Sequence, residues 1–167
     1  MNNYERLLQE AADSGVFVHE AFDLNSDSTS SERVNGLYMD GYIALDSGLD
    51  TTAERAGTLA EELGHHYTSH GNIMNMDDVN SRQQEYDARL WGYNNLVGLL
   101  GIIRAFEHGC RNRYETAEYL EVTEEYLEEA LKCYRSKYGV YKVVDNYAIT
   151  FIPNLAVTRI LDRKSVV

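Results

Sequence analysis

Residues 58–70 place two adjacent glutamates, Glu61 and Glu62, just ahead of three of the chain's five histidines, His65, His66 and His70. Thr51 or Thr52 with Glu54 and Arg55 can open a helix here, and the pattern continues to about Tyr67 before Gly71 and Asn72 break it. On a helix, residues four apart stand one above the other, so Glu61 and His65 point the same way and converge on one position. Glu62 is offset from Glu61 by roughly 100°, close enough to address that position without occupying it. Ala53, Ala56, Leu59, Ala60, Leu63 and Tyr67 define the apolar face.

The spacing is that of the H-E-x-x-H metal motif with Glu61 in place of the first histidine, so it is written E-E-x-x-H. A third ligand has to come from elsewhere. Glu85 is the choice, because it lies in the middle of the next long helix, three residues before Ala88, a side chain small enough for the two helices to approach closely. Joined by a short loop, these helices should pack antiparallel and bring Glu85 beside His65. One histidine and two carboxylates then leave an open position for water, with Glu62 as general base.

Two other readings of the residues stand beside this one. Glu61 and His65 lie well away from the centre of the apolar face, as a solvated acidic and histidine-bearing surface would. His66 and His70 are also four apart and lie nearer that face, so they form a competing ligand pair with Glu62 on their stripe. Gly64 inside the helix costs up to about 1 kcal/mol and signals a close neighbour in either register.

The elements around this helix follow from local pattern. Asn2 or Asn3 caps a first helix carrying Tyr4, Leu7, Leu8, Ala11 and Ala12, which Gly15 ends. Val16 to Val18 is a strand candidate and the polar run 25–31 a loop. Asp40-Gly41 between apolar segments predicts a hairpin. A long helix is expected from Asp77 or Asp78 to Val97, with Val79, Tyr86, Leu90, Tyr93 and Val97 at helical intervals, and an apolar one from Leu99 to Glu107, closed by Gly109. A short helix, a tight turn and a helix capped by Thr123 follow, then a second hairpin about Asp145-Asn146, which Pro153 ends. Residues 159–167 read as a loosely held tail.

Bulk properties narrow the function. A balance of 15 basic against 27 acidic residues gives a formal net charge of −12, which repels phosphate backbones and anionic lipid. The helix-turn-helix-like segment carries Glu124, Glu125, Glu128 and Glu129 where a DNA reader needs neutral or basic side chains, so nucleic acid is not an expected partner. No apolar run approaches the roughly 20 residues that span a bilayer, and no leader pattern opens the chain, so a cytoplasmic protein without a membrane partner is expected. Cys110 and Cys133 are read as free thiols. His19 and His108 are isolated and read as surface histidines, whereas Tyr67 and Tyr93 are candidates to line a peptide cleft.

The hairpin from Tyr38 to Leu45, the stretch Leu59-Ala60-Glu61-Glu62-Leu63-Gly64-His65-His66-Tyr67, the run Glu85-Tyr86-Asp87-Ala88-Arg89-Leu90-Trp91 and the segment from Tyr114 to Gly139 together resemble the ImmA/IrrE family of zinc metallopeptidases, in a phage or prophage variant. The resemblance spans about Gly36 to Ile152. It implies an α+β fold: a mostly helical zincin-like core with a small antiparallel sheet over residues 1–97, and a C-terminal helical segment and β-hairpin over 98–167 packed on it. It also implies His65 and Glu85 as zinc ligands and Glu62 as general base, with Glu61 in the place of the first histidine. Two carboxylates make a harder shell than the usual pair of histidines, so Mn²⁺ or another divalent ion is an alternative to Zn²⁺, and hydrolysis should be slower. The substrate implied is a helix-turn-helix repressor. The alternative function is a non-catalytic anti-repressor or binding protein on the same fold.

Overall fold

A computed structural model describes residues 1–27, 29–69 and 78–160. It is an α+β structure that divides into two compact units, residues 1–96 and 97–167. The acidic excess belongs entirely to the first: residues 1–96 carry five basic and 17 acidic side chains, and residues 97–167 carry ten of each.

The first unit opens with helix α1 (Asn3–Asp13), where the Asn2 side chain and Glu5 form a reciprocal capping box. Its apolar stripe buries Tyr4, Leu7 and Ala11, and Gly15, at φ +74°, turns the chain into β1 (Phe17–Phe22). The Tyr4 hydroxyl donates to Glu20 Oε1 at 2.8 Å and pins the helix to that strand. β2 (Gly36–Met39) and β3 (Tyr42–Asp46) form the expected hairpin, with Asp40 at φ +44° and Gly41 at φ +84° as the left-handed pair that such a tight turn requires. The strand order is β1-β3-β2, so β2 is an outer strand beside α2 (Thr52–Thr68).

β1 runs on past the expected Val18 to Phe22 and pairs in parallel with β3, while β2 pairs with it antiparallel. A local pattern that locates a strand carries no information about which distant strand it joins.

Between β1 and β2 lies the polar run expected to be a loop. It is closed by Asn25, whose side chain donates to the Val34 carbonyl and accepts the Val34 N–H, each at 2.9 Å. Asp46 then ties it to the sheet: its buried carboxylate accepts from Arg33 Nη2 at 2.8 Å and from the Leu24 and Gly48 N–H groups at 3.1 Å. A side chain at Gly48 would collide with the Arg33 guanidinium.

The Thr51 hydroxyl and Glu54 cap α2 reciprocally, and the helix buries Ala56, Leu59, Ala60 and Leu63 as its apolar face requires. Tyr67, expected on that face, is 37% exposed. α3 (Asp78–Leu96) completes the unit. It buries Ala88, Tyr93 and Leu96, whereas Tyr86 stands exposed.

The second unit contains α4 (Gly98–His108), α5 (Arg113–Tyr119) and α6 (Glu124–Tyr138). Gly109 at φ +101° ends α4, and Asn112 and Thr123 cap the other two through the Glu115 and Tyr126 N–H groups. Leu127, Ala130, Tyr134, Ile102, Ile149 and Phe151 form its core. β4 (Tyr141–Val144) and β5 (Tyr147–Thr150) make the expected second hairpin, and β6 (Ala156–Arg159) adds a third strand after Pro153. The expected tail therefore starts inside a paired strand, and its residues 161–167 lie outside the described ones. Among the described residues no helix is long and apolar enough to cross a membrane.

Candidate metal centre

The close approach of α2 and α3 builds the site. A Cβ on Gly64 would run into the carbonyl of Ala88, so the two small residues let the backbones touch. Glu61 meets Arg89 and His65 meets Glu85, so the pairs run in opposite order along the two helices. That order makes the helices antiparallel and puts Glu85 level with His65 one turn from Glu61.

The ligating atoms of Glu61, His65 and Glu85 all lie within 4.8 Å of one another, and His65 Nε2 is 3.6 Å from Glu85 Oε1. Donors about 2.1 Å from a tetrahedral ion are about 3.4 Å apart. One imidazole and two carboxylates at this spacing are a donor set that fits a divalent ion.

Glu62 points elsewhere. It is 8% exposed and lies between α2 and β2, where the Tyr38 backbone N–H donates to its carboxylate. A side chain at Gly36 would come within 2.8 Å of Glu62 Oε1 and 2.6 Å of Thr58 Cγ2, so this glycine in the outer strand makes the space the carboxylate occupies. Burial, then the charges of Glu61 and Glu85, push the Glu62 carboxyl up to about 8. Burial beside two carboxylates thus favours the neutral form of Glu62 well above the usual carboxylate range.

His66 does not turn toward the cluster. Its Nδ1 is 2.9 Å from the Tyr38 hydroxyl, and its ring sits edge-on to Tyr38 and Tyr67. His70, its partner in the competing register, lies outside the described residues. Tyr67 stacks on Trp91 with ring centroids 5.0 Å apart, while Tyr93 is buried and thus withdrawn from any open cleft. His19 and His108 are exposed and distant in sequence from the cluster, and both cysteines are free.

Three contributors were not singled out from the sequence: Gly36, the Tyr38 backbone and Arg89. Arg89 Nε donates to Glu61 Oε1 at 3.3 Å. Its spacing of four from Glu85 was a signal that it shares the site's face of α3. A glycine in a strand signals close approach of some other group, but not which one.

Comparison with known proteins bears on the same helices. The model of the IrrE N-terminal-like domain, a peptidase family, matches residues 11–132, which include α2, α3 and every residue of the cluster. No curated protein and no solved structure matches the chain. With most of its length covered by that model, the chain belongs to the ImmA/IrrE family of metallopeptidases.

Proposed function

We propose that this chain is a metal-dependent endopeptidase of a phage or mobile element, working in the host cytoplasm, whose substrate is a helix-turn-helix repressor. The observation that carries the reading is the convergence of Glu61, His65 and Glu85 next to a buried Glu62. Glu61, His65 and Glu85 would hold the ion, Zn²⁺ or alternatively Mn²⁺. When bound, such an ion polarises a peptide carbonyl and acidifies water.

The chain's own residues account for the rest. Glu62, set against Gly36 and the Tyr38 N–H, takes the proton from the attacking water as the oxygen–carbon bond forms, and delivers it to the departing nitrogen as the carbon–nitrogen bond breaks. β2 is an outer strand whose Tyr38 N–H faces Glu62, so an extended peptide pairing with that edge would lie along the carboxylate. The acidic excess of residues 1–96 favours a basic partner, as DNA-binding repressors are.

One observation favours the second reading, a non-catalytic anti-repressor: Arg89 already gives Glu61 a positive partner. Two experiments separate the readings. Purified protein should load about one divalent ion, and His65→Ala should lose it; failure of the wild type to load any ion sinks the peptidase. Glu62→Gln should keep the ion and partner binding but lower hydrolysis by about 10²- to 10⁴-fold. Repressor release that survives this change intact favours the binder.

A further inference from the structure

Glu61 and Arg89 raise a question of charge. An imidazole in the place of Glu61 would leave the three ligands with one negative charge, whereas Glu61, His65 and Glu85 carry two. In peptide hydrolysis negative charge develops on the carbonyl oxygen, and a shell this anionic opposes it unless a cation stands close by. Within the first unit, Arg89 stands there.

Its geometry suits more than an ion pair. Only Nε is engaged, on Glu61 Oε1, and among the described residues the Nη1 and Nη2 donors have no hydrogen-bond partner. The side chain is 56% exposed, so these donors are open to an incoming group. Arg89 also stands on the site side of α3, one turn beyond Glu85 and next in the chain to Ala88, whose backbone touches Gly64. Burial opposes its charge, the Glu61 and Glu85 carboxylates outweigh that, and an arginine is cationic in any case.

Resting on the metallopeptidase reading above, we infer that Arg89 is a catalytic residue whose free Nη–H donors bind the oxygen of the scissile carbonyl as it becomes an oxyanion. Glu61 then has two tasks, one oxygen toward the ion and the other holding the guanidinium in place. The proton path is unchanged, since an arginine neither gives nor takes a proton here.

Inorganic phosphate, a tetrahedral oxyanion, tests this without knowledge of the natural substrate. Protein loaded with Co²⁺ is titrated with phosphate, and broadening of the phosphorus resonance reports an anion bound beside the ion. Wild type should bind phosphate; Arg89→Gln should weaken it at least about tenfold, and Arg89→Lys, which keeps the charge but not the fork, should recover part of the loss. Zn²⁺ affinity measured by chelator competition should be unchanged or tighter in Arg89→Gln, and its melting temperature close to wild type, as for any exposed ion pair. Loss of Zn²⁺ affinity in that variant would make Arg89 a support for the ligand set and overturn the inference. So would phosphate binding that is absent in the wild type or indifferent to Arg89→Gln; in either case ion loading leaves the metallopeptidase reading standing. Failure to load an ion at all removes both.

Discussion

Asp46 and Glu62 are both buried carboxylates of the first unit, and the fold treats them in opposite ways. Asp46 is surrounded by donors: the Arg33 guanidinium holds its carboxyl below the usual value, with the Leu24 and Gly48 N–H groups assisting against burial. Glu62 has one N–H, from Tyr38, against burial and two carboxylates. Both side chains are nearly closed to solvent, but at Asp46 the Arg33 hydrogen bond outweighs burial, whereas at Glu62 burial is the largest influence, so only Asp46 has its charged form favoured. The first arrangement closes a loop. The second leaves a carboxyl whose charged form is opposed by its surroundings, an arrangement that clusters at functional sites.

Removing each carboxylate in turn should give the largest effects. Asp46→Ala strands the Leu24 and Gly48 N–H groups and frees Arg33, and should cost about 1 to 3 kcal/mol in chemical denaturation, after allowance for the exposure of Arg33. Glu62→Gln should act in the other sense, raising the stability of the metal-free protein at pH 8 and above, because a neutral amide escapes both the burial penalty and the neighbouring charges. Equal destabilisation by both substitutions would mean that the surroundings do not treat the two carboxylates differently.

The pH dependence separates the two groups next. Glu62 takes up its proton more readily in the folded than in the unfolded chain, so its contribution to stability is lost as pH rises from the ordinary carboxylate range toward about 8. Asp46 is shifted the other way: its contribution is present above the ordinary aspartate value and is lost as pH falls through the lower folded one. Melting temperatures of the metal-free protein should fall at both ends, Glu62→Gln flattening the alkaline limb and Asp46→Asn the acid limb. A bound divalent ion opposes the repulsion from Glu61 and Glu85 and should also flatten the alkaline limb.

The smallest effect on stability is expected at Gly36. Its Cβ would meet the ends of two flexible side chains rather than backbone, so Gly36→Ala should cost only about 1 kcal/mol. It should nonetheless slow hydrolysis through the displaced Glu62 carboxylate, and unchanged turnover would mean that the cradle does not position the base.

Much of the architecture was legible because it is local. The Asp40-Gly41 turn, the caps at Asn2 and Thr123, and the apolar stripe of α2 each depend on a few neighbouring residues. The strand after Pro153 was not legible, since β6 is short and is stabilised only by pairing with β5. The parallel pairing of β1 with β3 was hidden for the same reason.

At the site, spacing alone put Glu61 and His65 on one stripe and proposed Glu85 across a small-residue contact, and Gly64 against Ala88 is that contact. Helical periodicity is a property of the chain itself, so the sequence determines it. Which way His66 turns, what cradles Glu62 and what neutralises Glu61 depend on Tyr38, Gly36 and Arg89, residues 26 to 28 positions away. Only the tertiary structure decides these, because the energy of a buried charge is set by whatever the fold brings within a few ångströms of it.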